Sequence, residues 1–109
     1  MKITNKTIGQ GTLAAVDGRI DTTNYNEFEN AMNKLFEENV KSIYLDCSQL
    51  SYISSSGLRV FLTVQKKMMG TGGKFVLFAM QPTIKEIFDI SGFSTIFNIC
   101  ETEAEALQY

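Results

Sequence analysis

Three consecutive hydroxyls and a glycine, Ser54-Ser55-Ser56-Gly57, stand directly ahead of an apolar stretch of helical period. They are the residues of this chain best placed to do chemistry. They follow a β-like run that breaks off at Leu45-Asp46-Cys47-Ser48, and the bridge Gln49-Leu50-Ser51-Tyr52-Ile53. A helix start leaves its first backbone N–H groups without intrahelical acceptors and carries partial positive charge. A serine oxygen there can therefore cap the helix or carry an added phosphate. Capping alone accounts for a serine in such a place, at about 1 kcal/mol. A phosphate would add about −1.5 to −2 charges at pH 7. Taken by themselves, the residue types leave both uses open.

Much other chemistry is excluded by what the chain lacks. Histidine is absent, so Ser-His-Asp hydrolysis, Cys-His proteolysis, phosphohistidine transfer and most zinc sites have no imidazole to use. No nucleophile has a recognisable base beside it, and no catalytic residue or metal ligand is assigned. Cys47 and Cys100 lack the paired spacing of a zinc or redox motif and are read as buried reduced thiols. Asp46, closing a strand, is expected to accept N–H bonds in the turn that follows. The net charge of −2, with Lys and Arg scattered, offers no basic patch for nucleic acid. No apolar run reaches the roughly 18 residues of a membrane span. Met1-Lys2-Ile3-Thr4-Asn5-Lys6 is followed by no hydrophobic signal core, so no membrane partner and a cytoplasmic setting are expected.

The elements that must position the serines can be read from period and punctuation. Lys2 to Thr7 and Thr12 to Val16, broken at Gly9 and Gly11, predict two strands in a tight hairpin. From Asn24 the period changes. Tyr25, Phe28, Ala31, Met32, Leu35 and Phe36 fall on one helical stripe, with Asn24 and Glu27 spaced as a capping box and Asn39 ending the helix. Lys41 to Asp46 is a third strand. Gly57 to Met69 is a helix stopped by Gly70-Thr71-Gly72-Gly73. Lys74 to Met80 is apolar throughout, as a strand covered on both faces would be. Pro82 suits the first turn of a helix running to Ile90. A strand at Thr95 to Ile99 and a helix from about Glu101 complete the order. Strands alternating with helices predict an α/β fold with parallel pairs and right-handed crossovers, and 109 residues without a linker predict one domain over 1–109.

The helix after the serines carries Leu58, Val60, Phe61, Leu62, Val64, Met68 and Met69 over an arc of roughly 200°, wider than a core-facing stripe needs. Burial under a neighbouring helix and contact with a partner protein explain that width equally well.

Leu45 to Leu62 resembles the signature of the STAS domain, the fold of the bacterial anti-sigma factor antagonists: Asp46 at a strand end, then Ser54-Ser55-Ser56-Gly57-Leu58 at the turn. Gly18-Arg19-Ile20-Asp21-Thr22 is similar to the family's Gly-x-Leu-Asp segment, and Gly92-Phe93-Ser94-Thr95-Ile96-Phe97 to its run before the last strand. The resemblance thus covers nearly the whole chain. It implies a mixed β-sheet of about five strands with helices packed mainly on one face. It also implies a phosphorylation-switched binding module that is not an enzyme. Unphosphorylated, such a domain binds a serine-kinase anti-sigma factor and frees the sigma factor. The kinase, which binds ATP itself, phosphorylates the antagonist and ends the complex, and a serine phosphatase restores it. By position in the motif Ser55 is the phosphoacceptor, while Asp21, Thr22, Ser54, Ser56, Gly57, Val60 and Val64 form the docking surface. No cofactor is implied for the domain. Ser54 departs from the aspartate that stricter members carry at its position.

Three other readings compete. A STAS subunit that is never phosphorylated could serve a lipid-transport or stress-signalling complex. A receiver domain of the two-component type needs an acidic cluster after its first strand, where Ile8-Gly9-Gln10-Gly11 has no carboxylate. A nucleotide-binding domain needs a glycine-rich loop at a helix start, and Gly70-Thr71-Gly72-Gly73 lies at a helix end.

Overall fold

In a computed structural model that describes residues 1–109, the chain runs β1 (Lys2–Ile8), β2 (Gly11–Ile20), α1 (Tyr25–Glu37), β3 (Ser42–Asp46) and β4 (Leu50–Ile53). It continues through α2 (Ser55–Gly70), β5 (Lys74–Phe78), α3 (Pro82–Ile90), a 3₁₀ turn at Phe93–Thr95, β6 (Asn98–Cys100) and α4 (Glu103–Leu107). The strands lie in the order β1-β2-β3-β5-β6, with β4 beside β2. Only the β1–β2 pair is antiparallel; every other pair is parallel. The hairpin turns at Gly9, whose φ of +58° suits glycine at the first loop position.

β2 is longer than its sequence pattern suggests, because it serves two partners in turn. Gly11 to Ala15 pair with β3, and Gly18 to Ile20 pair with β4. Between those partners the chain steps aside at Cys47, whose N–H donates to the Phe78 carbonyl at 2.9 Å, and returns at Gln49, whose carbonyl accepts from Gly18 N–H at 2.9 Å. The register then slips: Gly18 faces Leu50, but Arg19 faces Tyr52. The extra residue, Ser51, makes a bulge. Leu50 and Ile53 are consequently both buried while Ser51 and Tyr52 are exposed.

Alternation along the other strands sorts the interior into two layers. Ala14, Val16, Ile43, Leu45, Phe75 and Leu77 point to the face covered by α1, α2 and α3. Phe61 of α2 is the hub there, with ring centroids of Phe28, Phe75, Phe88 and Phe97 at 5.0, 6.0, 6.0 and 6.5 Å. Val76 and Phe78 point the other way and are covered by Ala106 of α4. β5 is thus covered on both faces, as its unbroken apolar run predicts.

Some local expectations are corrected. Asn24 is the N-cap position of α1, but its side chain makes no capping bond: its Oδ1 accepts from Asp21 N–H at 2.8 Å and its Nδ2 donates to the Arg19 carbonyl at 2.9 Å. The capping box of this chain is at α4, where Thr102 and Glu105 bond reciprocally. The last strand is shorter and later than expected, because Phe93–Thr95 winds into the 3₁₀ turn. Asn39 does end α1, in the left-handed conformation at φ +58°.

Candidate functional site

Ile20 and Ile53 are register partners at the carboxyl ends of β2 and β4. The chain therefore leaves the sheet twice at one place, at Asp21-Thr22 and at Ser54-Ser55. The two exits are tied by Ser54 N–H donating to the Ile20 carbonyl at 2.9 Å. This pairing brings together Asp21, Thr22 and the serines, which lie some thirty positions apart in sequence.

Each serine has a different part. Ser54 is buried and is the N-cap of α2: its Oγ accepts from Gly57 N–H at 3.3 Å, and its carbonyl accepts from Leu58 N–H at 2.9 Å. Ser55 is the first helical residue and is exposed, and Ser56 is half-buried. The helix begins two residues earlier than its apolar pattern suggests. No acidic residue lies in its first turn. The Ser55 hydroxyl thus points outward beside the amide-rich end of a sixteen-residue helix.

Gly57 is a packing glycine. A methyl group there would stand 2.8 Å from both Ile20 Cγ2 and Ile53 Cγ1. Its missing side chain lets α2 start directly against the two strand ends, which sets where Ser55 sits.

Asp21 is held by its own turn. Its Oδ1 accepts from the Thr23 hydroxyl at 2.6 Å and from Thr23 N–H at 2.9 Å, and its main-chain carbonyl accepts from Tyr25 N–H at 2.9 Å. The Thr23 hydroxyl, then the Thr23 amide, hold this carboxyl below the ordinary carboxylate range, and Arg19 adds a smaller push the same way. Asp46 makes the expected turn bond, accepting from Ser48 N–H at 2.9 Å.

The expected docking surface changes accordingly. Val60 and Val64 are 4% and 3% exposed and belong to the core, so they offer a partner no contact. They lie one and two turns on from Gly57, on the face that meets the sheet. Ser54 and Gly57 are buried too and act by shaping the turn. Most of the apolar width of α2 is burial: Leu58 and Leu62 pack half-buried against the core, and only Met69 remains out, at 68%. The exposed groups at this edge are Thr22, Thr23, Tyr52, Ser55 and Arg59, with Arg19 stacked on Tyr52 at 4.3 Å. Tyr52 escapes a sequence reading because the bulge hides β4. Thr23 carries a legible signal, the Asp-x-Thr spacing of a local side-chain turn.

The serine turn lines none of the four surface cavities. Cys47 is buried, which pushes its thiol up, with the Asp46 charge adding to the effect. Cys100 is half-buried and is raised in the same direction by burial and by Glu105. No helix is long and apolar enough to cross a membrane.

The fold defines a class, and comparison with known proteins agrees. The STAS domain family model matches residues 2–106, and the chain belongs to that family. Among its relatives is BtrV of Bordetella bronchiseptica, assigned as an anti-sigma factor antagonist, 33% identical over 97% of this chain and 91% of the relative. A Thermotoga maritima structure assigned to the same role superposes with a TM-score of 0.92 at 19% identity, over 97% of this chain and 92% of that one. The Bacillus cell fate determinant SpoIIAA, solved in its phosphorylated form, superposes at 0.75 with 20% identity, over 98% and 97% of the two chains. These structural likenesses speak to fold. The sheet has six strands where about five are expected, the sixth being β4.

Proposed function

We propose that this chain is an anti-sigma factor antagonist switched at Ser55. Unmodified, it binds a serine-kinase anti-sigma factor through the edge formed by Asp21, Thr22, Ser55 and Ser56, and so releases the sigma factor. The kinase ends the complex by phosphorylating Ser55. The Ser55 oxygen attacks the terminal phosphorus of the kinase's ATP, the bond to ADP breaks, and the hydroxyl proton leaves to a base on the kinase. A serine phosphatase reverses the modification. The nucleotide is the partner's, and this chain contributes the acceptor hydroxyl and the docking edge.

The observation that carries this reading is the placement of one exposed serine at the start of α2, next to the Asp21 exit, while the serine before it is buried as a cap. The relatives named as anti-sigma factor antagonists support the role. A charge of about −1.5 to −2 placed there suits the positive helix end but not a contact fitted to a small hydroxyl. Binding is therefore switched, while the fold persists.

Incubation with the kinase and ATP, followed by mass spectrometry, tests the assignment. Phosphate is expected on Ser55 alone. Phosphate on Ser54 or Ser56 with Ser55 bare would move the switch. A chain that binds its partner but is never modified would be a fixed subunit of another assembly, such as a lipid-transport or stress-signalling complex.

A further inference from the structure

Arginine occurs only twice in this chain, at Arg19 and Arg59, the other basic residues being lysines. Both lie near the serine turn in the chain's fold: Arg59 follows Ser55 on α2, and Arg19 precedes Ile20, whose carbonyl accepts from Ser54 N–H. Arg59 is four residues beyond Ser55, the spacing at which exposed side chains share a helix face, and both residues are exposed. Arg19 comes from the other strand exit. It precedes Ile20, its register partner is Tyr52, and its guanidinium stands 4.3 Å from the centre of the Tyr52 ring.

Neither guanidinium donates a hydrogen bond within the fold. The side-chain hydrogen bonds at these residues run through their main-chain oxygens, from Asn24 Nδ2 to Arg19 O and from Thr63 Oγ1 to Arg59 O. The one ion pair, Arg19 Nε to Asp21 Oδ2, is 3.8 Å long with Arg19 61% exposed. That exceeds hydrogen-bond length, and an exposed pair of this kind contributes little. Asp21 does not depend on it, because Thr23 already bonds its carboxylate twice. The Tyr52 ring, meanwhile, lies against Arg19 at 4.3 Å, while the Arg19 side chain stays 61% exposed.

We propose that Arg19 and Arg59 form a two-sided receptor for a phosphoryl group at Ser55. The inference rests on the reading of Ser55 above and extends it to the groups that receive the charge. Planar guanidinium forks match phosphate oxygens in pairs, which lysine does not do. Cations at this turn also offset a local repulsion. The charged and titratable groups around the turn are Asp21, Arg19, Tyr52 and Arg59, with Glu27 in the first turn of α1. The ionised Asp21 opposes a phosphate at Ser55, and the two arginines add to the positive helix end in countering it. The same pair is open on the unmodified surface to carboxylates of a partner. Phosphorylation therefore adds negative charge and occupies two cations in one step.

The phosphoryl group can be covalent on Ser55 or belong to a free anion, and two measurements separate these. In the first, phosphoserine is built into position 55 of the full chain during synthesis, so the outcome does not depend on whether any kinase modifies Ser55. Phosphorus NMR then follows its second ionisation. The expected midpoint lies about one unit below the ordinary value of about 6, the lower end of the shift a guanidinium causes in an acid. Arg19→Gln and Arg59→Gln should each restore part of that shift, and the double variant more than either alone, the positive end of α2 keeping the remainder. Arg19→Lys, which keeps charge but loses the fork, should fall between. Lys66→Gln, an exposed cation further along α2, should leave the midpoint where it is. Equal midpoints in the parent and the double variant would overturn the proposal. In the second measurement, inorganic phosphate is titrated into the unmodified chain while the arginine Nε–H resonances are observed. Saturable movement of both, lost in the double variant, assigns the receptor to free phosphate as well. Stationary resonances together with the lowered midpoint assign it to phosphoserine alone.

Discussion

Gly57→Ala is the sharpest test of how α2 is set against the strand ends. The added methyl would stand 2.8 Å from Ile20 Cγ2 and 2.8 Å from Ile53 Cγ1. Carbon atoms in contact prefer about 3.5–4.0 Å, so each of two contacts is too short by about 0.7–1.2 Å. Neither neighbour can give easily: Ile20 and Ile53 are 0% and 3% exposed, and a β-branched side chain has little freedom at χ1. Overpacking of this kind costs about 1–3 kcal/mol. The gain from replacing a helical glycine by alanine, at most about 1 kcal/mol, offsets part of it. A net loss of about 1–2 kcal/mol should follow, or a fall of about 1 M in the urea midpoint for a small domain. Gly70→Ala in the same helix is the internal control, since nothing lies within 4 Å of its added methyl. It should gain about 0.5–1 kcal/mol. Opposite signs in one helix are thus expected from paired urea titrations. If Gly57→Ala proved as stable as the parent chain, the close approach of α2 to Ile20 and Ile53 would be wrong, and with it the account of what positions Ser55.

Ser54→Ala removes the oxygen that accepts from Gly57 N–H, and should cost about 1 kcal/mol in denaturant while Ser55→Ala, with its hydroxyl in solvent, costs almost nothing; equal losses would mean that the cap is misassigned. Asp21 has a folded-state pKa below its unfolded value, so its contribution to stability is full above about pH 4, where the unfolded carboxyl is ionised, and is lost as pH falls through the folded value. Because the Thr23 hydroxyl is the largest cause, Thr23→Val should move the Asp21 carboxyl midpoint upward in a carbon-detected NMR titration and shift the loss of stability to higher pH. An unmoved midpoint would show that Thr23 does not hold the carboxylate.

Long periodic elements were legible because their signals are redundant. α1 repeats its apolar spacing over several turns, and β5 is apolar at every position between Phe75 and Phe78, so each stands without knowledge of the rest of the fold. β4 was not legible for a definite reason. Leu50-Ser51-Tyr52-Ile53 puts its apolar residues three apart, a spacing that breaks strand alternation and suits a helix better, and only the bulge opposite Gly18 and Arg19 makes it a strand. Val60 and Val64, placed on the docking surface by the resemblance, are core residues at 4% and 3% exposure. Periodicity marks which positions share a face, but only tertiary packing decides whether that face meets the sheet or a partner.

The site depends on that illegible strand. In a regular strand Leu50 and Ile53 would point to opposite faces, and a slip of one residue turns every later side chain over. With Ser51 bulged out, both enter the core, and Ile53 comes to lie against Ile20. That contact joins the Asp21 exit to the serine turn and places Arg19 and Tyr52 together on the open side. The Ser-Ser-Ser-Gly signature indicates that a helix starts and that a hydroxyl is presented. It carries no trace of Arg19, which lies 36 positions away from Ser55. One bulged residue is therefore what sets Ile53 against Ile20 and puts Arg19 and Tyr52 side by side at the strand exit that leads to the serine turn.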